Sequence, residues 1–537
     1  MAEIRCTGRG ASPGIATGAL FVLRSATAAR RRAGSPAEEQ GTLSAALAAA
    51  QAELGDMIAT AEGEAAEILG FQVAMLEDEA LVAPALAEIA DGIAADIAWR
   101  HALDAQIADY AAADDEYFRA RVADLTDIRD RVLQKLSGAA IEALPKGAVI
   151  AADDLTPSRF LGHDWSAGGG IVLAKGSASS HVAMLARARH VPMVVGVACD
   201  LGKLNTGAAA IVDGAAGLVI LDPSAEARRD ADLRRDEERA RDMAAAAYLR
   251  KPAVSRDGTA VAVMINIASA DELDGLDPTI CDGIGLVRTE LLFEGAGSHG
   301  LPDEARQYEV YRRILAWAAG RPVIVRTLDA GGDKPIPGLT VDGESNPFLG
   351  LRGLRLSLQR PEVFRTQLRA LCRAATEGPL KIMLPMVTVP AELEAAKDHL
   401  DAVVAALATE RAPHHRPPLG IMVEVPSVGL TPERFAAEFF SIGSNDLTQY
   451  VMAAARDLNS VAHLADAADP AVLALIARVA EYGERVGIEV SLCGDAASDP
   501  ALVPHLLRCG LRRLSASPAA VGRVKATIAD LDLRPQS

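Results

Sequence analysis

The chain changes its hydrophobic rhythm several times. Residues 4 to 23, "IRCTGRGASPGIATGALFVL", set short apolar and β-branched runs between Gly and Pro, which predicts strands and turns. From Pro36 to Ser137 the pattern becomes long Ala/Leu/Glu/Asp periodicity with few breakers, which predicts a bundle of several helices. Short apolar runs return between Ala143 and Pro223 ("GAVIAADDL", "GGGIVLA", "VPMVVG", "AAAIVDGAAGLVIL") with Gly-rich turns, the pattern of an α/β domain into which the helical stretch is inserted. The segment "SAEARRDADLRRDEERARDMAAAAYLRKP" alternates in charge and predicts a solvent-exposed helical connector.

From Ala253 onward short strands alternate with helices. "VAVMINIAS", "GIGLVRTE", "PVIVRTLDAGGDK", "KIMLPMV", "LGIMVEVPS", "FFSIGSNDLTQY" and "VSLCGDAAS" make seven strands of a parallel β/α barrel. "LRGLRL" is the first choice for the eighth and "LRRLSAS" its rival. The expected organisation is a multidomain α/β protein. Residues 1–24 and 139–224 form one α/β domain, 25–138 an inserted helical subdomain, 225–253 a charged helical linker and 254–537 a (β/α)8 TIM-type barrel.

Composition narrows the function. The 537 residues suffice for roughly three or four domains, each with its own core. No apolar run reaches transmembrane length and no basic, apolar leader opens the chain, so a cytoplasmic protein without membrane insertion is expected. Six cysteines make no CxxC pair and are expected as separate reduced thiols. A formal charge of −18 disfavours nucleic acid and favours a small anion held in a local basic pocket, or a basic protein partner.

Two places carry candidate chemistry. In "GSASSHVAMLAR" a tight loop leads into a helix, with Ser179 or Ser180 as N-cap and His181 where free backbone N–H groups favour a phosphate. A neutral imidazole there is a fair nucleophile, although a histidine following a cap by chance is the more common case. In the barrel, Arg288, Arg326, Glu424, Asn445, Asp446 and Cys493 follow strands, with Arg352 and Arg456 in nearby loops, and barrel chemistry sits at those strand ends. Several arginines at one mouth imply a substrate with more than one anionic group. Glu424 and Asp446 offer hard oxygen ligands of the kind Mg²⁺ takes. Cys493 is either buried filler or a proton donor.

The motifs "ASPGIATG", "DDEYFRARVADLTDIRDRVL", "SSHVAMLARARHVPMVVG", "GIGLVRTELLF", "NPFLGLRGLRL", "FFSIGSNDLTQY" and "SLCGDAASDP" resemble, in order and over nearly the whole chain, the enzyme I family of phosphoenolpyruvate-utilising phosphotransferases. The resemblance implies that His181 is phosphorylated in a swivelling phosphohistidine domain and that Arg288, Arg326, Arg352, Asn445, Asp446 and Arg456 hold phosphoenolpyruvate. It further implies that Glu424 and Asp446 bind Mg²⁺, that Cys493 protonates the enolate to pyruvate, and that the acidic helical insertion docks the phosphocarrier HPr or an HPr-like protein. A homodimer through the barrel is implied as well. The family usually has two glycines and an arginine-like residue ahead of its Thr/Ser-Ser-His, whereas this chain reads "GSASSH" with Ser177 and Ala178 in those places, and Lys175 is close enough in sequence to supply the positive charge. Two rivals are weighed: a pyruvate phosphate dikinase relative, for which no nucleotide-binding domain fits in this length, and a silent regulatory scaffold.

Overall fold

The computed structural model describes residues 3–23, 33–59, 64–112, 122–138, 143–176, 180–199, 204–293, 301–455 (apart from 333, 335, 337 and 342) and 461–534. The chain divides into two compact units, Met1–Glu238 and Arg239–Ser537, and the division falls inside the charged helix Ala225–Ala246.

The first unit is built on an eight-stranded sheet. Its strands are β1 (Ile4–Thr7), β2 (Arg9–Ser12), β3 (Ile15–Val22), β4 (Val149–Ala152), β5 (Gly170–Leu173), β6 (Met193–Val195), β7 (Ala209–Asp213) and β8 (Leu218–Leu221), in the spatial order 1-8-7-3-4-5-6-2. The central run from β3 to β6 is parallel. Its members β4, β5 and β6 are buried along their whole length, as strands covered on both faces must be. Between β3 and β4 the described residues form five helices: α1 (Pro36–Ile58), α2 (Glu64–Glu77), α3 (Glu79–Ala90), α4 (Ala95–Ala112) and α5 (Val122–Ser137). They share a core around the fully buried Trp99, with Leu43, Leu54, Leu125 and Ile128 against it. Helix α1 starts at a capping box, in which Ser35 and Glu38 satisfy each other's backbone N–H groups behind Pro36. Two shorter helices, α6 (Pro157–Leu161) and α7 (His181–Ala188), cross from β4 to β5 and from β5 to β6. His181 therefore opens the helix that follows the carboxyl end of a parallel strand, where α/β sheets bind their ligands.

The cysteine expectation needs correction in this unit. Cys6 and Cys199 are joined in a disulfide, with Cα atoms 6.1 Å apart, while Cys281, Cys372, Cys493 and Cys509 are free thiols. The segment after β6 runs beside β1, with the Ala198 N–H donating to the Thr7 carbonyl, and this brings together two residues 193 positions apart. No local spacing announces such a pair.

The second unit is a closed parallel barrel. A short β9 (Ala253–Val254) pairs with the base of β10 (Ala260–Ile267). The ring continues through β11 (Ile284–Val287), β12 (Val323–Arg326), β13 (Leu380–Leu384), β14 (Leu419–Val423), β15 (Phe439–Ile442), β16 (Glu489–Leu492) and β17 (Arg513–Ala516), and β17 pairs back to β10. The eighth strand is thus the rival candidate "LRRLSAS". In "LRGLRL", Gly353 adopts a positive φ of 59° and Leu354 starts a helix, Leu354–Gln359, whose Leu354 and Leu356 are buried. Inside the barrel, Leu286, Ile324, Met383, Met422 and Phe439 pack with Cys493. The larger apolar core lies between the strands and the surrounding helices. Among the described residues no helix is long and apolar enough to cross a membrane.

Candidate active site

The α7 N-terminus is organised around Ser180, whose hydroxyl accepts from the Ala183 N–H at 3.3 Å; Ser179 lies outside the described residues, as do Ser177 and Ala178. His181 follows as the first helical residue, with its side chain 16 % exposed. Its Nδ1 stands 3.3 Å from Oδ1 and 3.2 Å from Oδ2 of Asp124, a wholly buried carboxylate on α5. Gln72 on α2 donates to Asp124 at 3.4 Å and to Asp127 at 3.1 Å. Asp127 also accepts from the backbone N–H and hydroxyl of Ser158, at the start of α6, at 2.9 and 2.5 Å. Burial pushes the Asp127 carboxyl above the ordinary range against the opposing effects of Arg131, Ser158 and Gln72. Lys175 is exposed and pairs with Asp153 at 3.7 Å.

At the carboxyl end of the barrel the charges are buried. Asp329 is the hub: it pairs with Arg326 at 3.0 Å, with Lys334 at 3.1 Å, and with Arg352 through a forked pair of bonds at 3.1 and 3.0 Å. Burial alone would raise the Asp329 carboxyl, but Lys334, Arg326 and Arg352 together hold it well below the usual carboxylate range. The other face of the Arg352 guanidinium reaches both oxygens of Asp446, at 3.2 and 3.0 Å. Arg326 also pairs with Glu290 at 2.9 Å, yet its buried Nε–H has no acceptor among the described residues. Next to this cluster Glu424 accepts from the Met386 N–H at 2.6 Å. Met386 holds a left-handed φ of 57°, uncommon away from glycine, and presents that N–H to the carboxylate. Burial and the neighbouring Asp446 and Asp329 charges push Glu424 up to about 8.

Cys493 follows β16 and is 2 % exposed. The Ser441 hydroxyl donates to its sulfur at 3.3 Å, and the thiol reaches the Ile442 carbonyl at 3.7 Å. Burial pushes the thiol up to about 11, partly offset by Ser441, Arg326 and Arg288, so it is protonated at neutral pH. Only glycine fits at position 494, because a Cβ there would come within 1.8 Å of the Ser444 hydroxyl.

The structure thus gathers Arg326, Arg352, Glu424, Asp446 and Cys493 at one end of the barrel, with the charge of Arg288 felt at Cys493. Asn445 stands beside them and exchanges two 2.9 Å hydrogen bonds with Asp495. Arg456 lies outside the described residues. Asp329, Glu290, Ser441 and Asp124 are central to the geometry and were not singled out by sequence. The signal for Asp124 was present in α5, where Asp124, Asp127 and Arg131 interrupt the apolar face of Leu125, Ile128 and Val132. Among the described residues no three His, Cys, Asp or Glu side chains stand together at metal-binding spacing.

The chain has relatives among known proteins. Residues 243–533 match the PEP-binding domain model of the PEP-utilising enzymes, residues 7–121 the N-terminal model and residues 144–217 the mobile-domain model. The chain belongs to the PEP-utilising enzyme family. The phosphoenolpyruvate-protein phosphotransferase of Bacillus subtilis (strain 168) is 37 % identical over 473 residues, covering 87 % of this chain and 83 % of the relative. That of Bacillus sp. (strain S) is 36 % identical over 537 residues (98 % and 93 %), and that of Haloferax volcanii 40 % over 422 residues (77 % and 73 %). Within the family, then, the chain is a member of the phosphoenolpyruvate-protein phosphotransferases, which are transferases.

Proposed function

We propose that this protein moves the phosphoryl group of phosphoenolpyruvate to its own His181 and then to a histidine-containing phosphocarrier, HPr or an HPr-like domain, releasing pyruvate. The observation that carries the reading is the guanidinium of Arg326, buried at the barrel mouth with an N–H that has no acceptor among the described residues, next to the forked Arg352. A guanidinium so placed suits an anionic substrate with several oxygens. In this reading Arg288, Arg326, Arg352, Asn445, Asp446 and Arg456 hold the carboxylate and phosphoryl groups. Catalysis of the transfer is chiefly positioning and charge stabilisation.

The donor set fits a divalent cation. Burial and the neighbouring carboxylates Asp446 and Asp329 push Glu424 up to about 8, a repulsion that a divalent cation held by Glu424 and Asp446 would relieve. Glu424 and Asp446 are the residues to hold Mg²⁺, which when bound would offset the charge of substrate phosphoryl and enolate oxygens. Cys493, kept as a thiol by its burial, gives its proton to the methylene carbon of the enolate and is left as thiolate.

His181 and the barrel residues belong to different compact units, so the histidine visits the barrel for one half-reaction and the carrier for the other. The finer division supports this cycle: 1–24 with 139–224 as the swivelling phosphohistidine domain, 25–138 as the acidic carrier dock, 225–253 as linker and 254–537 as the barrel, through which the protein forms a homodimer in the cytoplasm. Incubation with ³²P-labelled phosphoenolpyruvate and Mg²⁺ tests the reading. The wild-type protein takes up acid-labile label and His181→Ala takes up none, while still binding phosphoenolpyruvate. Normal labelling of His181→Ala rejects the assignment, and no labelling of the wild type makes the chain a silent scaffold.

A further inference from the structure

His181 has a partner that its own domain text does not suggest. We propose that Asp124 is the positioning residue that orients His181 for its exchange with the carrier. The inference rests on the reading of His181 as the phosphorylated histidine.

The carboxylate presents both oxygens to Nδ1, at 3.2 and 3.3 Å, and is itself wholly buried. It is pinned from behind. The amide of Gln72, also wholly buried, bridges Asp124 and Asp127, and Asp127 is fixed in turn by two hydrogen bonds from Ser158. A buried acceptor held this way selects the tautomer with hydrogen on Nδ1 and leaves the Nε2 lone pair free, as carboxylates do for ligating and catalytic histidines. During the exchange the P–N bond to Nε2 breaks, its electron pair returns to Nε2, and a P–N bond forms on the carrier imidazole. The Nδ1–H stays in place throughout. While the ring carries the phosphoryl group, the nearby carboxylate balances the positive charge that the Nδ1–H form places on it.

The location of Asp124 specifies the half-reaction. It stands on α5, within the helical segment proposed to dock the carrier, whereas the phosphoenolpyruvate pocket belongs to the other compact unit. The contact therefore marks the carrier-facing arrangement of His181.

The test uses Asp124→Asn, similar in size to the native residue but unable to hold the Nδ1–H as a carboxylate does. The full-length variant is labelled with ³²P-phosphoenolpyruvate and then mixed with HPr purified from the same cells. Transfer to HPr is expected to slow by about tenfold to a hundredfold, in line with the loss of an orienting carboxylate. The final extent of labelling by phosphoenolpyruvate is expected to stay at the wild-type level. The ¹⁵N signals of the His181 ring are expected to lose their Nδ1–H tautomer, a change that a packing defect alone would not cause. Wild-type transfer with unchanged ring signals overturns the proposal. If His181→Ala still takes up label, or the wild type passes none to HPr, the underlying reading falls and takes the proposal with it. Loss of label in His181→Ala beside an unaffected Asp124→Asn leaves that reading standing and removes only Asp124. Should Asp124→Asn not fold, Gln72→Met, which removes the bridging amide, is expected to slow transfer in the same direction, and wild-type transfer there also overturns the proposal.

Discussion

At the barrel mouth, charges are buried and spent largely on one another: Asp329 alone meets Arg326, Arg352 and Lys334, and Arg352 is shared between Asp329 and Asp446. At His181 a partly open ring faces one carboxylate at the start of an eight-residue helix. In the proposed cycle the contrast separates two kinds of work. A pocket that must stabilise charge building on an enolate gains from dipoles and ions fixed in a dry interior, where they need no reorganisation during the reaction. A group that must be reached by two different partners has to remain accessible, and can keep only one side of its ring engaged. Ion pairs follow the same division. Exposed pairs such as Lys175 with Asp153 contribute little, whereas breaking the buried barrel network strands charges without water.

The barrel side is broken most completely at Cys493. In Cys493→Ala, conversion of the enolate to pyruvate is expected to stop or nearly stop, while transfer from phosphorylated His181 to the carrier keeps its rate, because that step uses no enolate. The substitution itself costs only about 1 kcal/mol of stability. Rapid-quench measurement of pyruvate, run beside phosphoryl transfer to the carrier, checks both arms, and normal pyruvate formation by a folded variant makes the thiol core filler.

Arg352→Met keeps bulk and removes charge. It leaves Asp329 and Asp446 without their shared partner, so the barrel should lose about 3–5 kcal/mol, read as a lower urea midpoint of the barrel transition, together with phosphoenolpyruvate binding. Any effect on the His181 unit that is as large would erase the distinction between the two regions.

The smallest effect is graded and concerns Glu424. Its carboxyl is raised in the folded protein to about 8, from about 4.3 in an unfolded chain, so across that window the native state holds the extra proton. Stability from this group is full below the unfolded value and is lost as pH rises through the folded one. Without divalent cation, thermal melting of the barrel should therefore fall progressively between about pH 5 and pH 8. Saturating Mg²⁺, by holding the ionised form, should flatten that slope. A slope of equal size in Glu424→Gln would assign the pH dependence to other groups.

Much of this was legible in the chain. Seven barrel strands announce themselves because a buried parallel strand reads as an apolar run and a candidate residue stands just beyond it, as Arg288 does after "GIGLV" and Cys493 after "VSL". The eighth did not, because β17 reads "RLSA", with Leu514 as its one large apolar residue, while "LRGLRL" looks more apolar and turns helical at Gly353. Asp329 stands in "LDAGG", beside turn-forming glycines. Arg326 and Lys334 are near it in sequence and Arg352 is 23 residues away, and nothing in the text announces that all three converge on one buried carboxylate. The Cys6–Cys199 bridge joins residues 193 positions apart, which no local spacing marks, and for Asp124 the polar break in the apolar face of α5 was legible while its partner His181, 57 residues away, was not.

The sheet pairing of β3 with β4 has a consequence in time. Leu20 lies beside Val149, but between Val22 and Val149 the described residues form five helices. The helical bundle is thus one greatly enlarged crossover between neighbouring parallel strands. Its contacts are local and form quickly, whereas the centre of the sheet must wait for a strand that leaves the ribosome only after all five helices. The surface proposed to receive the carrier is in this way the part of the first unit that can take shape earliest, and the bed of His181 is assembled onto it afterwards.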